Sequence, residues 1–393
     1  MINRIILTLF TLTTILISVA KSQFIPPINI ISNSTGCSGW SGNASYSSIL
    51  VMAQAMASCP DATTPTLGGT LTINSNSLGN YDFTIKTGPQ TVSSFSNSDW
   101  FTATEDTTST FIVIKGDFTV NSGQIFTPSQ RKLFTVIYAT GNCSIAGSIL
   151  MTARGSNHSG AGSSGGATTA ATIRIATGTF SGVTNPEVPA AGGAALAATF
   201  RSSGTDDGPG TTGNAGSAGG TGGGGRAGAY ASSGHTARHG GGAAGTSFSG
   251  GAGGAGSQDG GNGTTTADGQ ANGGKGGVAF GVNTPGGGAG NPGGAGVGAG
   301  ATGDAGSGGV LIIICAGQLS GAGTITAAGA AGGASTLVGG GAGSGGGSVT
   351  VMYGTDTSSI TPTAPGGAGG NDHASYNSAG GAGGAGTARK LAL

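Results

Sequence analysis

Two stretches decide the fold: FTVIYATGNCSIAGSI at residues 134–149 and VLIIICAGQLSGAGTI at residues 310–325. Aligned on Gly141 and Gly317, they share Gly, Ser, Ala-Gly and Ile at equal offsets. Each begins with an apolar run long enough for one buried strand, breaks at a single glycine, and resumes as a shorter alternating segment. The offset between them is 176 residues, so this is an internal repeat with a long excursion between its copies. Looser copies are read at Phe111 to Phe126 (FIVIKGDFTVNSGQIF), at Ala171 to Gly182 (ATIRIATGTFSG) and at Ser348 to Pro362 (SVTVMYGTDTSSITP). The reading is an all-β fold, a layered or solenoid-like stack of strand–glycine–strand units over residues 111–393.

Between the copies lie glycine-rich tracts, densest from Arg201 to Gly309. The 393 residues include 87 Gly and 13 Pro, about a quarter of the chain, where roughly 12% is usual. A collagen period is absent, since the glycines come as GGAGG and GGG clusters. Such tracts cannot bury side chains. They serve either as flexible linkers or as extended threefold helices of the polyproline II type, packed backbone to backbone, and apolar strands at both ends of each tract favour the ordered bundle.

Upstream, residues 23–110 read as a small β-rich attachment domain with one short helix. Ser47 to Ser58 contains no Gly or Pro, is rich in Ala, Leu, Met and Gln, and opens on a serine suited to capping. Alternating segments follow at Thr70 to Ile73 and Tyr81 to Ile85. Residues 1–22 carry Arg4, an apolar run from Ile5 to Val19, and Ala20 and Ser22 at the spacing of a cleavage site. About fifteen apolar residues rise ~23 Å as a helix, short of a ~30 Å hydrocarbon core. The expectation is a secretory signal removed after Ser22, with no transmembrane segment left in the mature chain.

The cysteines fit export. Cys37, Cys59, Cys143 and Cys315 make an even set with no C-x-x-C pair, which reads as two disulfides and not as a zinc site. Three connectivities exist. Cys37–Cys59 with Cys143–Cys315 is favoured, because stacking the repeat copies brings Cys143 and Cys315 to one strand–turn corner. Acceptor sequons for N-glycosylation begin at Asn33, Asn43, Asn142, Asn157 and Asn262.

Charge narrows function. Lys+Arg 14 against Asp+Glu 14 gives net zero, and 7% charged residues is far below the ~25% of an ordinary domain. No nucleic-acid-binding surface is expected, since counterion release needs clustered cations. Catalytic chemistry is equally sparse. His235 and His239 form H-T-A-R-H, but no Glu follows the first His and glycines flank the motif, so no zinc helix is expected. Asp206-Asp207 is an isolated pair, and Gly260 to Gly263 imitates a calcium-binding turn but has Thr265 where Asp is required. No metal, cofactor or enzyme activity is read. Tyr230, His235, Arg238, His239 and Phe248 interrupt a Gly/Ala stretch with large polar or aromatic side chains, which makes them candidate recognition positions.

The segments at Gly147 to Gly155 (GSILMTARG), Gly308 to Ile314 (GGVLIII) and the GGAGG tracts at Gly366 and Gly380 resemble the glycine-rich modules of bacteriophage tail-fibre adhesins and related giant-virus and bacterial surface proteins. The texture is also similar to mycobacterial PE-PGRS repeats and to springtail antifreeze proteins. The resemblance implies a polyglycine-II-like bundle used as a rigid surface element. The leading expectation is therefore an extracellular structural or adhesive protein whose partner is a cell-surface glycan or protein receptor, or further copies of itself in a fibre. The alternative is ice binding, which suits near-zero charge and Thr/Ser/Ala-rich surfaces. A secreted carbohydrate-active enzyme ranks third and requires two convergent carboxylates.

Overall fold

The computed structural model describes residues 43–59, 69–78, 80–92, 100–101, 108–155, 172–188, 199–201, 211–216, 220–221, 224–225, 237–239, 307–333, 340–371 and 379–393. For residues 80, 199–201 and 237–239 only backbone pairing is described. The expected signal at residues 1–22 and positions Asn33, Cys37, Asn157, Tyr230, His235, Phe248 and Asn262 lie outside the described residues. Among the described residues, no helix is long and apolar enough to cross a membrane.

In chain order, β1 (Ala44–Tyr46), α1 (Ile49–Ala57), β2 (Leu71–Ile73) and β3 (Asn76–Ser77) precede the main sheet. Helix α1 is the only one among the described residues. Ser48 caps it, its hydroxyl accepting from Val51 N at 3.3 Å, and Ile49, Met52, Ala53 and Met56 form its buried face. The β2–β3 hairpin turns on Asn74 and Ser75, both at positive φ, the geometry that matches strand twist in a two-residue turn.

The chain then lays down β4 (Asn80–Thr87), β5 (Gln90–Val92), β6 (Thr108–Lys115), β7 (Phe118–Val120), β8 (Ile125–Phe126), β9 (Thr135–Ala139), β10 (Cys143–Ile145) and β11 (Ser148–Leu150). After a long excursion containing β12 (Ile173–Arg174), β13 (Thr179–Phe180), β14 (Val183–Thr184), β15 (Glu187–Val188), β16 (Thr199–Arg201) and β17 (Ala237–His239), it returns with β18 (Val310–Ser320), β19 (Thr324–Thr326), β20 (Ser348–Asp356) and β21 (Thr387–Ala392).

Nine strands join one curled, wholly parallel sheet in which β4, β6, β9, β18, β20 and β21 are successive neighbours. Register is continuous along the first ladder, and the β18–β20 pair shifts between Cys315 and Gln318. Ile85, Val113, Tyr138, Ile314, Met352 and Leu391 stand in one column. Two shorter ladders run beside the first: β5, β7, β10 and the end of β18 form one, and β8, β11 and β19 the other. The two repeat copies pair directly, Leu311 on Thr135 and Ser148 on Thr324, at the offset read from the sequence.

The inner strands β6, β9, β18 and β20 carry continuous buried runs, covered on both faces as expected of parallel sheets, whereas the outer strands β4 and β21 alternate buried with partly exposed positions. One face packs Phe83, Phe111, Val136 and Ile312 against α1 and against Ile173, Ile175 and Val188 of the excursion. The other packs Ile112, Ile137, Ile313 and Val351 against Phe118, Ile145, Leu319, Ile149 and Ile325 of the shorter ladders. Trp100 and Phe101 close this second core beside Phe126, with ring centroids 5.2 Å from it.

Two sequence expectations change here. The copy read at Ala171 to Gly182 does not join the stack. Ile173–Arg174 pairs antiparallel with β15, and β13 and β14 form a hairpin on Ser181 and Gly182, both at positive φ. Its glycine marks a reversal and not a rung corner. In addition, β4 and β5 sit in the same sheet as β6 and β7, and residues Cys37–Leu393 form one compact unit, so the sheet runs across the boundary expected at residue 110.

Candidate functional site

The rung corners are built on glycine. Gly88, Gly116, Gly141 and Gly317 follow the first-ladder strands, and Gly141 N donates to Gly116 O at 3.0 Å and Gly317 N to Gly141 O at 2.9 Å. A Cβ at Gly116, Gly141 or Gly317 would meet the backbone of the rung below. Beside this column Asp117 Oδ1 accepts from Asn142 N at 2.7 Å, and Asn142 Oδ1 accepts from Gln318 N at 2.8 Å. Cys143 and Cys315 are disulfide-bonded at this corner, Cα to Cα 5.8 Å, as the stacked copies predict. Cys59 is disulfide-bonded too, and its expected partner Cys37 lies outside the described residues.

Outward from the second ladder, pairing aligns Thr91, Thr119, Ser144 and Ser320 in one column of hydroxyl residues. Adjacent rungs of a sheet lie ~4.8 Å apart, so the column is a regular strip. Thr91 and Ser144 are exposed, and Thr119 and Ser320 half-buried.

A second surface comes from the glycine tracts. Tract 340–347 donates to tract 327–333 through Gly341, Ser344 and Gly347, at 3.0, 3.0 and 2.7 Å. It donates to tract 379–386 through Gly343 and Gly346, both at 2.9 Å. Tract 379–386 donates through Gly380, Gly383 and Gly386 to Gly370, Gly367 and Ala364, and tract 211–216 joins it through Gly213 and Gly216. Donors toward one neighbour recur at every third residue, whereas a strand alternates with a period of two. A Cβ at Gly369, Gly383 or Gly386 would fall on the carbonyl of Gly380, Ser344 or Gly347, respectively. Only glycine permits this approach.

Charged groups are mostly committed to the fold. Lys132 is fully buried and 3.8 Å from Asp82; desolvation lowers its pKa, and the nearby Asp82 charge pulls the other way. Arg174 binds Glu187 at 3.1 Å. Lys390 binds Asp356 and donates to Ile360 O at 3.1 Å. Desolvation pushes the Asp356 pKa up, but hydrogen bonds from Lys390 and Ser358 outweigh it and hold the carboxyl below its ordinary value. Burial raises Tyr46 to about 12. Among the described residues no three His, Cys, Asp or Glu side chains gather as metal ligands do.

Of the candidate recognition residues, Arg238 and His239 fall in β17, which pairs antiparallel with β16: His239 opposite Thr199, Arg238 opposite Phe200. The backbone pairing that brings residues 199–201 opposite residues 237–239 spans a long connection and has no local signal in the sequence. Of the described sequons, Asn43 and Asn142 are both exposed. Comparison with protein-family models, curated proteins and solved structures gave no match.

Proposed function

We propose that the chain is an extracellular structural or adhesive protein, a parallel β-solenoid fused to a polyglycine-II-type bundle that presents a rigid, nearly uncharged surface to a cell-surface glycan or protein receptor or to further copies. The observation that carries this reading is the three-residue interval of hydrogen bonds between glycine tracts. A threefold extended helix presents successive residues to three sides, so each tract can bond several neighbours at once. Backbone groups then supply the order that side chains cannot. With few ionisable side chains and most of the described ones committed internally, the surface offers shape and hydrogen bonding in place of reaction chemistry.

The test applies fluorescently labelled full-length protein to a glycan array and to cells, with electron microscopy for filaments. Saturable attachment or regular filaments are expected. Absence of attachment to every surface, together with a dispersed monomer at all concentrations, overturns the proposal.

The hydroxyl column Thr91, Thr119, Ser144 and Ser320 favours ice binding as a second reading. Thermal hysteresis abolished by Thr119→Tyr supports it, and freezing indistinguishable from that of an inert control at equal concentration removes it.

A further inference from the structure

The sequence leaves five N-x-[ST] sequons equal, and the structure singles out two of them. Asn43 and Asn142 each stand one residue ahead of a strand, β1 and β10, with the sequon hydroxyl two residues on, at Ser45 and Ser144. Both asparagines and both serines are exposed, while the residue between them turns inward, Ala44 partly and Cys143 completely. Each carboxamide is held in the same way. Asn43 Oδ1 accepts from Thr70 N at 3.1 Å, and Asn142 Oδ1 accepts from Gln318 N at 2.8 Å. Only the oxygen of a carboxamide accepts from an N–H, so in both side chains the oxygen faces neighbouring backbone and Nδ2 is the outward end.

We propose that Asn142 and Asn43 carry N-linked oligosaccharides, an inference that rests on the extracellular reading. In the transfer, Nδ2 bonds to the anomeric carbon of an oligosaccharide held on a lipid pyrophosphate. The bond from that carbon to the pyrophosphate oxygen breaks, its electron pair leaves with the lipid pyrophosphate, and Nδ2 gives up one proton. The product is still an amide whose oxygen can accept, so the bonds from Thr70 N and Gln318 N survive the modification, and the bulky sugar on Nδ2 extends into solvent. Chain order favours transfer at Asn142. A disulfide at the middle residue of the sequon would hold the acceptor in a folded corner, but Cys143 waits for Cys315, 172 residues later, a delay of roughly ten to thirty seconds at ordinary elongation rates. Ser144 belongs to the hydroxyl column, so an oligosaccharide on Asn142 stands beside that strip. A sugar-covered strip is no longer the bare, flat face that ice binding requires.

The experiment expresses the full-length chain in cultured animal cells, beside a copy whose residues 1–22 are replaced by a proven secretory leader. Peptides from the medium are mapped by mass spectrometry after peptide-N-glycosidase F in heavy-oxygen water, which turns each glycan-bearing asparagine into a labelled aspartate. Label is expected at Asn43 and Asn142 in both secreted proteins. Ser144→Ala keeps the Asn142 side chain and should lose the label at Asn142 while retaining it at Asn43, whereas Ser144→Thr should retain both. Secreted protein with either asparagine unlabelled overturns the proposal, as does label at Asn142 that survives Ser144→Ala. The leader-replaced copy separates the two possible failures. If it is labelled while the native chain stays inside the cells unlabelled, the extracellular reading falls and takes the modification with it; if it is secreted unlabelled, the proposal falls alone.

Discussion

Replacing Gly383 with alanine tests the close-packed tracts most directly. Gly383 is buried, its N–H donates to Gly367 O at 2.8 Å, and an added Cβ would fall on the carbonyl of Ser344. The methyl has no flexible side chain to displace, so tract 379–386 must move away from tract 340–347. That movement disturbs the Gly383–Gly367 bond and the neighbouring bonds from Gly343 to Gly381 and from Gly346 to Gly384. Three hydrogen bonds at about 1 kcal/mol each, plus an overpacking cost of ~1–3 kcal/mol, give about 4–6 kcal/mol. Alanine stiffens the unfolded chain and returns ~0.4–1 kcal/mol, leaving a net loss of about 3–6 kcal/mol. Ala385, exposed and two residues away, provides the control, and Ala385→Ser should change stability by less than about 0.5 kcal/mol. Guanidinium unfolding compares midpoints at constant slope, and hydrogen exchange reads the amides of Gly343, Gly346 and Gly383. A Gly383→Ala protein within 0.5 kcal/mol of wild type would refute the backbone-packing argument.

Removing the Cys143–Cys315 disulfide by a double serine substitution opens a separation of 172 residues, for which the chain-entropy relation gives on the order of 5 kcal/mol; unchanged guanidinium unfolding with and without reductant would contradict this. Asn142→Ala should cost about 1–2 kcal/mol, since it deletes the acceptor for Gln318 N, and an unchanged melting curve would show that the corner chain is not stabilising. Lys132→Met should destabilise by roughly 3–5 kcal/mol, because it leaves Asp82 without its buried cation, and the additional change Asp82→Leu should recover much of the loss. Tyr46 has a raised pKa, so the stability it contributes is complete below about pH 10 and is lost as pH climbs toward about 12; Tyr46→Phe should flatten that alkaline limb of a stability-versus-pH curve.

How much was legible varies by element. The pairing of Gly141 with Gly317 was readable because a column of a parallel sheet asks for the same kind of residue at each rung, and Ser144/Ser320 and Ile149/Ile325 keep that match. The disulfide followed from the same alignment. The first rung was missed because Asp82, Thr84 and Lys86 give β4 the alternation of a half-exposed strand, although Phe83 and Ile85 enter the shared core. The hairpin at Thr179 to Thr184 was misread because one glycine serves a rung corner and a reversal equally well; the positive φ of Ser181 decides between them and leaves no mark in composition. In tract 379–386 the three-residue period is visible as alanine at Ala379, Ala382 and Ala385. Arg238 and His239 stood out as rare large residues, but nothing local tied them to Phe200.

The long excursion between β9 and β18 also has a temporal side. During synthesis β9 emerges about 170 residues before the strand that will flank it, a delay of roughly ten to thirty seconds at ordinary elongation rates. Throughout that interval the five-residue run Thr-Val-Ile-Tyr-Ala has one hydrogen-bonding edge open, and an open apolar edge templates pairing with other chains. Crowded nascent chains therefore face their greatest risk of mispairing before Val310 is made, and yield on expression should depend on ribosome density more steeply than final stability would indicate.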